Sequence, residues 1–175
     1  MKTTLSIGAV IFGSWTAGAM AADLTLPPDD QMMGMASDTW NGIYAGAGLT
    51  AAYNVDFGET FGFADGIVGF NHQVGDFVFG AEAYLSGWQS NLAGPGISAG
   101  IEGRGGYLVT PDVLVFASGG AMHFITGGAT YGQLGLGAEF AVAEHLSVDF
   151  EYKYWHQIGG TYQTHSLSTS LLWHF

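Results

Sequence analysis

The stretch Leu146-Ser147-Val148-Asp149-Phe150-Glu151-Tyr152-Lys153-Tyr154 alternates without a break. Leu146, Val148, Phe150, Tyr152 and Tyr154 fall on one phase; Ser147, Asp149, Glu151 and Lys153 fall on the other. A period of two is what a β-strand with two unlike faces produces, because successive side chains point to opposite sides of the sheet. Large apolar groups gather on one face and every charge on the other. The fold follows once it is known which face meets water.

The same pattern extends in both directions. In the last segment Leu167, Thr169, Leu171, Trp173 and Phe175 oppose Ser166, Ser168, Ser170 and His174, with Leu172 the one apolar residue on the polar side. Upstream, Phe77, Phe79, Ala81, Ala83 and Leu85 oppose Gly80, Glu82, Tyr84 and Ser86, and Leu134, Leu136, Phe140 and Val142 oppose Gln133, Gly135, Gly137 and Glu139. Weaker alternation marks 40–53, 61–70, 97–109 and 113–124. The pattern predicts eight strands of about ten residues or more and no helix of useful length. Links at 71–76, 110–112 and 143–145 read as turns, helped by Pro111 and Gly75-Asp76. Links at 54–60, 89–96, 125–128 and 159–164 lie at the opposite end.

Composition settles the facing. Only 10% of the 175 residues are charged, against roughly 25% in an average soluble domain. A soluble eight-stranded barrel would turn its apolar face inward and clothe the outside in charge, and these few charges would make a poor exterior. The Gly, Ser and charged phase suits a narrow lumen; the aliphatic and aromatic phase suits lipid. The expected fold is all-β, an eight-stranded antiparallel up-and-down transmembrane β-barrel, with strands long enough for a tilted crossing. Three Lys and Arg face 15 Asp and Glu, a net charge of −12, which excludes nucleic acid as a partner through phosphate neutralisation. With no Cys, disulfide frameworks, thiolate zinc sites and Cys nucleophiles are excluded too.

The single long apolar run is N-terminal. Lys2, the apolar stretch Leu5 to Trp15, and Ala19-Met20-Ala21 read as a signal peptide over 1–21, cleaved after Ala21 with Ala19 and Ala21 as its small residues. The run is too short to span a bilayer as a helix, which needs about 20 apolar residues. Residues 22–39, with Pro27-Pro28-Asp29-Asp30, read as a flexible periplasmic lead, and 40–175 as one barrel domain.

Beside this reading stands a resemblance. Trp40-Asn41-Gly42-Ile43-Tyr44-Ala45-Gly46 resembles the first strand of small outer-membrane barrels of the opacity and surface-antigen type, often labelled a porin family. Gly66-Ile67-Val68-Gly69-Phe70-Asn71-His72-Gln73 with Phe77-Val78-Phe79-Gly80-Ala81-Glu82 is similar to the second and third strands. Gly103-Arg104-Gly105-Gly106-Tyr107 with Val115-Phe116-Ala117-Ser118-Gly119-Gly120-Ala121 is similar to the central hairpin. The resemblance covers 40–175 and implies an OmpA-like barrel in a Gram-negative outer membrane, in contact with its lipid and lipopolysaccharide. It also implies that Trp173 and Phe175 form the aromatic ending read by the assembly machinery. The four loops are shorter here than is usual in that family.

By phase, Asp65, Glu82, Glu102, Arg104, Glu139, Asp149, Glu151 and Lys153 point into the lumen. They form either a gated ion path or a static network that fills the barrel, and the static network is favoured. Isolated ions in a low-dielectric interior cost several kcal/mol, and two cations cannot neutralise six carboxylates, so the rest require water or protons. Trp40, Tyr44, Tyr107, Trp155, Trp173 and Phe175 lie near strand ends and read as interfacial girdles. Trp88 and Tyr162 near the outer rim are also candidates for sugar stacking, with the girdle favoured. His72, His123, His145, His156, His165 and His174 show no His-x-His or HExxH spacing, so no metal or cofactor is expected. Catalysis would need a nucleophile beside a base, and His165-Ser166 puts the two on opposite faces of a strand. Gly103-Arg104-Gly105-Gly106 lacks the Lys-Ser/Thr of a phosphate loop. The expected role is a non-catalytic structural or surface one, with a narrow porin-like channel next, a lipid-modifying enzyme third, and lateral protein contacts open.

Overall fold

The computed structural model describes residues 40–175; the leader at 1–21 and the lead at 22–39 lie outside the described residues. Eight strands follow in order: β1 (Gly42–Asn54), β2 (Glu59–Val74), β3 (Phe77–Ser90), β4 (Gly96–Thr110), β5 (Val113–Phe124), β6 (Thr130–Ala143), β7 (Leu146–Gln157) and β8 (Gln163–His174). Each pairs antiparallel with its neighbours in sequence, and β1 pairs with β8 from Tyr44↔His174 to Asn54↔Thr164, closing the barrel. Closure removes the unpaired edge that no bilayer tolerates. The largest boundary difference from the sequence reading is in β2, which continues through 71–74, because its ladder with β3 runs on to Val74↔Phe77. The turn left is Gly75-Asp76, with Gly75 at φ +62°, a left-handed conformation that glycine adopts without strain.

The two ends are unlike. Three two-residue turns (75–76, 111–112, 144–145) mark one end, and four longer loops (55–58, 91–95, 125–129, 158–162) the other. Short turns face the periplasm and longer loops the exterior in outer-membrane barrels. The shortest strands have 12 residues, which at about 3.3 Å per residue and a 35–45° tilt rise about 30 Å, more than the apolar band of about 25 Å. Ile101, Leu134, Leu136, Phe150, Leu167 and Leu171 stand out from the wall, while Ser118, Gln133, Glu139, Ser147, Asp149 and Glu151 are buried inside it.

The lumen is stacked in three tiers. Ala52, Phe63, Trp88, Met122, Phe124 and Trp155 fill the loop end. Trp40, Val78, Leu108, Leu114 and Phe116 fill the turn end. Trp40, lying before β1, is fully buried there, its Nε1–H donating to the Pro111 carbonyl at 2.8 Å. The charged side chains lie between. Glycines make room for the largest rings: Tyr44 lies opposite Gly69, Tyr84 opposite Gly100, Trp88 opposite Gly96 and Phe116 opposite Gly137. A Cβ at any of these four would collide with the ring it faces.

The girdle expectation therefore needs correcting. Trp40, Tyr44, Trp88 and Trp155 are buried in the lumen, whereas Tyr107, Trp173 and Phe175 are exposed on the outer wall or at its end. Position near a strand end does not reveal facing where both faces of the strand are apolar.

Candidate functional site: the charged lumen

All eight charged residues singled out from the sequence line the interior: Asp65 on β2, Glu82 on β3, Glu102 and Arg104 on β4, Glu139 on β6, and Asp149, Glu151 and Lys153 on β7. The i, i+2 spacing within β4 and within β7 puts each set on one face of its strand. Most of their ties join strands that are not neighbours in the sheet, so they brace the barrel across its bore.

Two cationic hubs organise the tier. Arg104 Nη2 lies 2.7 Å from Glu139 Oε2, and Arg104 Nε–H donates to Asn71 Oδ1 at 3.1 Å. Its guanidinium sits between the rings of Tyr44 and Phe116, 4.9 and 5.2 Å from their centroids. Such desolvated cation–π contacts are worth about 2 kcal/mol. Tyr44 in turn donates to Glu82 Oε2 at 3.0 Å. Lys153 Nζ meets Glu102 Oε2 at 2.6 Å and Glu151 Oε2 at 3.0 Å, and lies 5.3 Å from the centre of the Tyr84 ring. Ser118 donates to Glu151 Oε1, and Tyr84 to Gln133 Oε1. Asp65 stands apart and accepts from Thr50 Oγ1 at 2.8 Å. Asp149 is buried with no hydrogen-bond partner at Oδ2. The space left among these groups is a cavity of about 40 Å³, room for no more than a few waters.

The sequence reading did not single out the neutral members of the network, Asn71, Gln133 and Ser147, nor the inward-facing Tyr44 and His174. The available signal was Gln133, Ser147 and His174 on the polar phase of their strands, whereas Asn71 fell in the expected turn at 71–76. At the turn end Ser147 Oγ donates to Glu139 Oε1 at 2.5 Å and lies 2.8 Å from His174 Nε2, which is itself 3.2 Å from Glu139 Oε1. Serine, histidine and glutamate thus meet, but not as a catalytic triad. A triad's histidine takes the hydroxyl on one ring nitrogen and the acid on the other, whereas here Nε2 serves both. All three are buried, with the Trp40 ring edge-on to His174 at 6.2 Å. Among the described residues, no group of three or more His, Asp or Glu is placed to hold a metal ion.

A model of the outer membrane protein beta-barrel domain matches residues 16–175. The chain belongs to that family. Two solved structures share the outer membrane barrel's architecture. Neisserial surface protein A is 14% identical, with a TM-score of 0.51 and an alignment covering 76% of this chain and 96% of that one. The N-terminal β-barrel domain of Pseudomonas aeruginosa OprF is 10% identical, with a TM-score of 0.52 and coverage of 74% and 97%. At such identities the likeness is one of fold. No curated protein sequence matches the chain.

Proposed function

We propose that this outer membrane barrel is a closed, non-catalytic structural or surface protein of the Gram-negative envelope. One observation carries the reading: apolar clusters stop both ends of the lumen, and the charged tier between them leaves only about 40 Å³. An eight-stranded barrel has a bore that side chains fill, and aqueous channels appear at about 16–18 strands. The cross-bore ties act as internal braces, so the stiff wall itself is what the cell would use. Export through a leader cleaved after Ala21, a periplasmic lead over 22–39, and recognition of Trp173 and Phe175 by the assembly machinery complete the proposal. Its partners are outer-membrane lipid and lipopolysaccharide, and lateral protein contacts would be made through the wall.

A cation-selective channel is the second reading, favoured by six lumen carboxylates against two cations. A lipid-modifying activity draws no support from Ser147, which is buried with its hydroxyl committed to Glu139. Single-channel recording of the refolded chain in planar bilayers separates these readings. The closed barrel gives no steady current, at most rare, small, cation-favouring openings. A steady, large conductance would replace it with a pore.

A further inference from the structure

The wall of the barrel carries a recess that neither strand alternation nor the lumen explains. Ile43, Val68, Phe70, Ala81, Ala83, Ile101, Gly103, Gly119 and Ala121 line an outward-facing apolar groove of about 830 Å³. It crosses the strands along the register row Phe70↔Ala81, Ala81↔Gly103, Gly103↔Gly119. Ile43 is the second residue of β1 from the turn end, whereas Ala121 is the fourth from the loop end of β5. The groove therefore climbs obliquely through the bilayer, as a row across tilted strands must. On β5 its upper end has a floor of Gly119 and Ala121. Ile101 on β4 and Leu134 on β6 stand on either side as strongly exposed walls.

Two residues beyond Ala121, on the same face of β5, stands His123. It is exposed, and its Nδ1 lies 2.9 Å from Thr130 Oγ1. If the threonine hydroxyl donates to Nδ1, the ring proton sits on Nε2, a donor free to turn outward even when the imidazole is neutral. Two strand residues span about 6–7 Å, which sets that donor just above the groove's mouth. The charge balance points the same way. Within 40–175 Arg104 and Lys153 are the only Lys or Arg, and both face the lumen. Histidine is thus the basic side chain available to the outer wall, and at the loop end it is supplied by His123, His156 and His165.

We propose that this groove seats one acyl chain of a phosphate-bearing membrane lipid, with His123 donating a hydrogen bond to its phosphate. A small-residue floor between aliphatic walls gains contact area from a flexible chain, and the donor at its mouth fixes which lipid and which end. The proposal rests on the barrel lying in lipid, not on its being closed, so current recordings and lipid labelling fail or succeed separately.

The test uses the full chain folded in dodecyl maltoside micelles, which contain no phosphate. Phosphatidic acid with a photoreactive acyl chain is compared with the matching photoreactive diacylglycerol. Adducts from phosphatidic acid should concentrate on the segments holding Ile101, Gly103, Gly119 and Ala121. His123→Ala should lower the preference for phosphatidic acid over diacylglycerol about five-fold, the equivalent of one hydrogen bond. Ala121→Phe should abolish labelling at the groove by both probes while the folded, heat-modifiable band persists. Equal labelling by the two probes, or adducts spread evenly over all eight strands, would each overturn the proposal.

Discussion

At Gly69 the absence of one carbon atom decides whether the Tyr44 ring has a seat. Tyr44 lies directly across the ladder from this glycine, and an added methyl would occupy the space of the ring itself. Since Tyr44 also braces Arg104 and Glu82, displacing it disturbs the turn-end half of the network. Gly69→Ala should cost about 1–3 kcal/mol, the usual penalty of overpacking, read by urea unfolding in micelles. Gly62→Ala, whose new Cβ meets nothing within 4 Å, should leave stability within about 0.5 kcal/mol. Arg104 supplies a second test at this scale. Arg104→Met leaves Glu139 buried without its guanidinium and should cost about 3–5 kcal/mol, whereas Arg104→Met with Glu139→Leu should recover most of the loss. Additive losses in the double variant would show that the pair does not act as a unit.

At the scale of the element, the strand between 146 and 154 was readable because one face is wholly apolar and the other wholly polar. The charged lumen residues were legible for the same reason: a period of two assigns each to a face without any coordinates. The first, second, fourth and fifth strands were harder. Phe63, Phe116 and Phe124 face inward, where the two plugs need bulk, and Tyr44 faces inward beside Arg104, while Gly62, Ala64, Gly66, Gly103 and Gly105 face outward. Hydrophobicity then no longer reports facing, which is why Trp40, Tyr44, Trp88 and Trp155 read as girdle residues. Nor does alternation alone carry the pairing of Lys153 with Glu102 or Arg104 with Glu139, since both cross the bore and depend on how the closed sheet staggers. The strong alternation of β7 gives its own prediction. Phe150→Arg should cost about 2–4 kcal/mol near the bilayer midplane, and a polar change at the inward Ser168 should cost much less. Equal tolerance at the two sites in vesicle unfolding experiments would contradict the facing. At the end of β8, removal of Phe175, exposed at 75%, takes away no lumen contact. It should nonetheless leave chain in the periplasm, sensitive to protease, if the terminal aromatic is an assembly signal. Normal amounts of the heat-modifiable folded band in the outer membrane would make it dispensable.

At the scale of the whole molecule, three obstructions lie in series along one bore, and a series path conducts only when every stage is open. Trp40→Ala removes the ring that covers His174 at the turn end but leaves Leu108, Leu114 and Phe116 in place. Trp155→Ala thins the loop-end cluster but leaves Phe63, Trp88, Met122 and Phe124. Neither change touches the ties of Arg104 and Lys153 across the middle. Each single variant, and the pair combined, should therefore remain without steady current in planar bilayers. Replacing Arg104 and Lys153 by Ala in the Trp40→Ala, Trp155→Ala background removes both hubs and leaves six carboxylates facing whatever path remains. This variant should be the first in the series to conduct, with cations strongly preferred. Its folded fraction, read from the heat-modifiable band, separates a true opening from unfolding. If the unaltered chain already carried a steady, large current, and kept it when Arg104 and Lys153 alone were replaced, the tiers would not be what closes the barrel.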